Sequence, residues 1–157
     1  MEAVAELVAE EAVSTQFVTF TNDDRHYGIE IMRVREIRQW SPTTELPNQP
    51  FYTRGVINIR GSIVPVHDLR ARFGGSLTEA SENHAILIVS QGGQDVGVLV
   101  DAVSDIVSVS AEERRSVPSG AREVEDGSVT SLICRDEKMI ALLDPERLFP
   151  TVEVADI

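Results

Sequence analysis

"GVINIRGSIVPVHDLRARFG", residues 55–74, holds two apolar runs on either side of an arginine and a glycine. Residues 55–60 and 63–67 alternate apolar side chains with period two, which reads as two strands of a hairpin. A tight Gly61-Ser62 turn joins them, and glycine at the first central position suits a type II′ turn. Asp68 follows where a carboxylate caps a short helix, "LRARF", and Gly74 can end it. Such a hairpin buries its flanks, so the arginine at its tip, Arg60, asks for a role.

The same pattern runs through the rest of the chain. "QFVTF" (16–20) leads into the turn-rich "TNDD", and "RHYGIEI" (25–31) places Tyr27, Ile29 and Ile31 on one face. "RVREIRQW" (33–40) reads as a strand, or as a helical turn leading into one. Pro42, Pro47 and Pro50 break the next stretch into loop. The plan then recurs as "HAILIVS" (84–90), "QGGQ" and "DVGVLVDAVSDIVSV" (95–109). A shift of 69 residues carries Gly28 onto Gly97, Val34 onto Val103, Glu36 onto Asp105 and Ile37 onto Ile106. A shift of 76 carries Val64 onto Ile140, Val66 onto Leu142, Asp68 onto Asp144 and Phe73 onto Phe149, with the turn "RDEK" reading as longer than its counterpart. The chain therefore reads as two copies, about 16–74 and 84–150, between an acidic N-terminal tail (1–15) and a short C-terminal tail (151–157). Each copy offers about five short strands, which must curl to remove their edges. The expectation is a mainly β protein of two packed small barrels, one per copy, with short helices.

Composition agrees and narrows the function. The chain has 157 residues, 42% hydrophobic and 25% charged, enough for one domain or two small ones. Aromatic residues make up only 5%, so the core rests on Val, Ile and Leu, which favour strands. The net charge of −12 opposes binding to nucleic acid and to anionic lipid. Within it lies a basic island: Arg33, Arg35, Arg38, Arg54, Arg60, Arg70 and Arg72 stand against Glu36, Glu45 and Asp68. The island reads as a docking face for an acidic partner, or as scattered surface arginines of little energetic weight. Lys138 is the only lysine, which fits GC-rich coding and a high-salt interior equally. Cys134 is the only cysteine, so no intrachain disulfide forms, and within "VTSLICR" it reads as a small buried hydrophobe. Apolar runs fall short of the roughly 18 residues that cross a bilayer. The opening "MEAVAELVAEEAVST" has no basic residue and does not read as a signal peptide, so a cytoplasmic protein is expected.

Catalytic and cofactor patterns are missing. There is no phosphate-binding GxxxxGK, no GxGxxG and no GxSxG elbow. His26, His67 and His84 lack zinc-site spacing, so neither metal nor cofactor is expected. A binding module remains. Arg60 on a rigid tip suits bidentate pairing with a carboxylate, and Glu36, an acid on an arginine-rich strand, is the second candidate.

"YGIEIMRVREI", "LPNQPFYTRGVINIRGSIVPVHDLRARFG" and "VGVLVDAVSDIVSVSAEE" closely resemble the CheW family, the coupling proteins of chemotaxis, and the resemblance runs from about Gln16 to Pro150. It implies two five-stranded SH3-like barrels and a non-enzymatic adaptor. That adaptor would bridge the cytoplasmic tips of methyl-accepting chemoreceptors and the regulatory domain of the histidine kinase CheA, at membrane-associated arrays and without membrane insertion. The alternative that the resemblance leaves open is a CheW-like adaptor in another chemosensory pathway, such as twitching, gliding or development. The resemblance implies partner-binding roles for Val34, Glu36, Gly55, Arg60 and Ile106, and a groove between the barrels that takes the receptor's helical tip. His67 stands where the family usually has an apolar residue, which points to altered packing or to pH sensing.

Overall fold

The computed structural model describes residues 14–120 and 126–149, so most of the N-terminal tail and all of the C-terminal tail lie outside the described residues. The chain forms β1 (Ser14–Asn22), β2 (Arg25–Glu30), a 3-10 turn (Ile31–Arg33), β3 (Val34–Gln39), β4 (Thr53–Ile59), β5 (Ser62–Asp68) and α1 (Leu69–Arg72). It then repeats with β6 (Ala85–Gln91), β7 (Gln94–Val100), β8 (Ala102–Ser110), a 3-10 turn (Ala111–Glu113), β9 (Val129–Arg135), β10 (Lys138–Leu143) and α2 (Pro145–Leu148). "RVREIRQW" resolves into both of its readings, with a helical turn entering β3.

The four two-residue hairpins share one turn. Both central residues have positive φ at Asp23-Asp24, Arg60-Gly61, Gly92-Gly93 and Asp136-Glu137. That is the type I′ pattern, whose twist matches the strands it joins. The expected type II′ turn is thus corrected: the strand stops at Ile59, and Arg60 itself takes φ 49° beside Gly61 at 88°. "RDEK" is also no longer than its counterpart, since Asp136-Glu137 is again a two-residue turn.

Two five-stranded sheets form, in the orders β8-β1-β2-β10-β9 and β3-β6-β7-β5-β4. The expected arrangement of one barrel per copy is not what the chain adopts. Each sheet takes the first hairpin of one copy and the last three strands of the other. The exchange is symmetric, because replacing each strand of the first order by its counterpart in the other copy gives the second order. The joints match as well: Leu142 lies opposite Gly28 and Val66 opposite Gly97, both in parallel pairs. At those joints glycine gives the close fit, since an added Cβ would stand 3.0 Å from the Leu142 side chain at Gly28 and 2.9 Å from the Ile86 side chain at Gly97, so that those side chains would have to shift. Each sheet closes on itself through one bridge, Thr44 to Val56 in one and Arg115 to Leu132 in the other. Closure removes open edges and makes each sheet a small barrel.

The core has three parts. Ile57, Ile59, Val64, Val66, Ile86, Ile88 and Leu99 fill the β3–β7 barrel. Phe17, Val109, Ile133, Ile140 and Leu142 fill the other. Between the barrels lies the largest cluster, including Val18, Phe20, Ile29, Leu87, Val89, Val98 and Leu148. This explains why "AILIV" is apolar without alternation: Ile86 and Ile88 face into the barrel while Leu87 and Val89 face its neighbour. The helices cross over too. Phe73, after α1, stacks on Tyr27, and Phe149, after α2, packs on Tyr52 and His67. Asp68 caps α1 as expected, accepting from Ala71 N, and it also accepts from Thr78 N at 2.7 Å and Thr78 Oγ1 at 2.9 Å.

Cys134 is exposed rather than buried. Strand alternation decides it: β9 turns Ile133 inward, so its neighbour faces out.

Candidate functional site

Among the described residues, no three His, Cys, Asp or Glu side chains converge as a metal site would require. Among the described residues, no helix is long and apolar enough to cross a membrane. The functional candidates are side chains and one glycine held by barrel backbone.

Glu36 and Arg60 come together. Glu36 lies on β3, opposite Ile88, on the side of the strand that faces the barrel interior. Arg60 tops the β4–β5 hairpin, and its Nη2 donates to Glu36 Oε2 at 2.8 Å. β3 and β4 are the two ends of the sheet order, so this ion pair spans the join where the sheet closes. Arg38 Nη1 stands 3.4 Å from the other Glu36 oxygen. The hydrogen bond from Arg60, reinforced by both guanidinium charges, holds the Glu36 carboxyl below its usual range. The same bond raises Arg60. Arg60 still leaves 75% of its side chain exposed, against 29% for Glu36.

The basic island is largely committed within the molecule. Arg33 pairs with Glu146, Arg54 with Asp68 while lying over Trp40, and Arg72 with Asp126. Arg60 and Arg38 share Glu36. Among the described residues a broad positive face is therefore not present, and what remains of the island is the Glu36–Arg60 pair at its turn.

The other three positions lie apart from it. Val34 begins β3 and packs against the core between the barrels. Ile106 lies on β8, opposite Val18, with 52% of its surface exposed. Between the 3-10 turn before Val34 and the end of β8 runs a groove of about 530 Å³, lined by residues that include Gln16, Glu30, Met32 and Ser108. Met32 is 81% exposed there and was not singled out by the sequence, because a lone methionine in a turn has no periodic signal. Gly55 is buried at the barrel seam with φ 137°, where a Cβ would stand 2.4 Å from the Thr44 carbonyl oxygen. Backbone bonds between Thr44 and Val56, 2.9 Å in both directions, make that approach necessary.

His67 does not act as a neutral-pH sensor. Its ring packs against Phe149 at 4.4 Å and Tyr52 at 5.2 Å, and its Nδ1 lies 3.0 Å from Thr53 Oγ1. Burial pushes its pKa down to about 4, so the imidazole stays neutral well below pH 6. The alternative expectation, altered packing, describes it: the ring is part of the aromatic joint between barrels.

Comparison with known proteins agrees with this architecture. The family model of the CheW-like domain matches residues 16–153. The chain belongs to the CheW family. The chemotaxis protein CheW of Klebsiella aerogenes is 37% identical over 98% of this chain and 92% of its own length. CheW of Rhizobium meliloti is 36% identical over 88% of this chain and 89% of its own. The crystal structure of the scaffolding protein TtCheW from Thermoanaerobacter tengcongensis superposes with a TM-score of 0.78 at 30% identity, covering 87% of this chain and 88% of that one. Like other CheW proteins, this chain is a chemotaxis scaffold and not an enzyme.

Proposed function

We propose that this CheW protein couples the cytoplasmic tips of methyl-accepting chemoreceptors to the regulatory domain of the histidine kinase CheA, and that it works in the cytoplasm at membrane-associated arrays. The observation that carries the reading is the Glu36–Arg60 pair, two charges from separate elements fixed on one closed barrel of a CheW-family chain. A guanidinium held by one carboxylate keeps free N–H donors, and a rigid turn presents them with little conformational freedom left to lose. The groove beside Met32, whose β8 wall is Ser108 two residues beyond the exposed Ile106, supplies the second surface, suited to a helix that lays an apolar side chain against Met32. Val34 closes the 3-10 turn that carries Met32 and joins it to the core, and Gly55 keeps the seam behind the hairpin closed.

A capture experiment tests the bridge. Receptor signalling fragments are immobilised, and CheA is passed over them with this chain or with its Arg60→Glu variant. The wild type is expected to retain CheA on the receptor surface. Arg60→Glu places two carboxylates together at the tip and is expected to lose capture while keeping the wild-type denaturation midpoint. Full capture by the variant removes the pair from the docking face, and no capture by the wild type removes the bridging role.

A further inference from the structure

Glu30 ends β2 with its side chain on the wall of the groove, beside Gln16, Met32 and Ser108. It is half-buried, and among the described residues its carboxylate accepts no hydrogen bond and meets no cation. The residue caps no helix turn either, although the 3-10 turn starts directly after it. The guanidiniums carried by the neighbouring elements are held elsewhere, that of Arg114 over the ring of Phe17. Arg33 binds Glu146 and the Ser90 carbonyl, and Arg135 binds Glu113 and the Ser108 carbonyl.

The internal repeat shows what the position holds when packing alone decides. The 69-residue shift carries Glu30 onto Leu99, which is fully buried in the core of the other barrel. β2 and β7 are otherwise matched, down to Gly28 and Gly97 at the same parallel joint. Glu30 stands opposite Phe17, a core residue of its own barrel, where leucine would serve stability better than a partly desolvated, unpaired carboxylate.

We infer that Glu30 is a specificity-determining residue of the groove, receiving a lysine or arginine side chain from the partner helix that docks there. This rests on the receptor-docking reading above and adds the charge that the helix must carry. The strongly acidic chain favours a cation at this place, and a half-buried acceptor beside an apolar anchor fixes the register of a helix more sharply than either alone. One helix then supplies both contacts, an apolar side chain against Met32 and a cation on Glu30.

The test compares Glu30→Gln, Glu30→Leu and, as a groove control, Met32→Arg at the exposed lining residue, by titration calorimetry against a receptor signalling fragment at two salt concentrations. Loss of a charge-assisted contact is expected to weaken binding about tenfold in both Glu30 variants and to flatten the dependence on salt. Urea denaturation supplies the second readout: Glu30→Leu is expected to be at least as stable as the wild type, because leucine is the residue of the matching barrel. Rescue completes it. When each lysine and arginine of the fragment is reversed in turn, one reversal restores binding to Glu30→Lys. If Met32→Arg abolishes binding while Glu30→Gln and Glu30→Leu bind as the wild type does, Glu30 has no such role although the groove reading stands. If the wild type does not bind the fragment, or Met32→Arg binds it equally, the groove reading itself fails and this inference with it.

Discussion

At the scale of single residues, charge and burial decide more than residue type. His67 shows this most clearly. An unfolded chain holds its histidine near the ordinary value of 6.5, whereas the folded barrel holds it at about 4. Between those values the unfolded state binds a proton that the native state excludes. The stability associated with the neutral ring is therefore complete above pH 6.5 and is lost as pH falls towards 4. Over that window the loss amounts to about 3 kcal/mol. His67→Leu removes it. Urea midpoints at pH 7 and pH 5 are expected to show the wild type losing about 2 kcal/mol more than His67→Leu. Parallel losses would mean that the ring is accessible to protons in the native state. Glu36 and Arg60 were legible in the sequence, one as an acid on an arginine-rich strand and the other as an arginine at a hairpin tip. Their meeting was not, because it depends on the curvature that brings β3 back to the hairpin tip. Cys134 was misread for a related reason: "VTSLICR" is apolar enough to look buried on both faces, and only the partner strands show which face is the inner one.

At the scale of elements, turns and seams carry the fold. Hairpins, the Asp68 cap and the glycine after α1 follow from local pattern, since each depends on residues close in sequence. The turn type depends on where the strand stops, and one residue of register separates type II′ with Gly61 first from type I′ with Arg60 first. Gly55 belongs to a seam that no local pattern announces. Adding a methyl group there sets a Cβ against the Thr44 carbonyl in a left-handed backbone region. Gly55→Ala is expected to destabilise the protein by about 2–4 kcal/mol in equilibrium denaturation. Gly61→Ala, where nothing stands within 4 Å, is expected to cost about 1 kcal/mol. Equal losses at the two glycines would show that backbone conformation alone, and not closure of the barrel, makes Gly55 necessary.

At the scale of the whole molecule, the duplication was legible and its exchange was not. Shifts of 69 and 76 residues give the same matches whether each copy closes on itself or on the other, so the repeat pattern carries no information about which barrel a strand joins. The structure resolves it by pairing Gly28 with Leu142 and Gly97 with Val66. The exchange has a mechanical consequence. Neither barrel can form without strands from both copies, and Arg72, Phe73, Glu146 and Phe149 fasten the two helices across the joint. A scaffold built this way holds the Glu36–Arg60 pair and the groove at fixed relative positions, as the proposed coupling of a receptor to a kinase requires. The most direct measurement is kinase activity in a reconstituted mixture of receptor signalling fragments, CheA and ATP, with and without this chain, following phosphoryl incorporation into CheA. Coupling predicts stimulation that appears only when receptor and this chain are both present. Incorporation that is the same with and without the chain contradicts it.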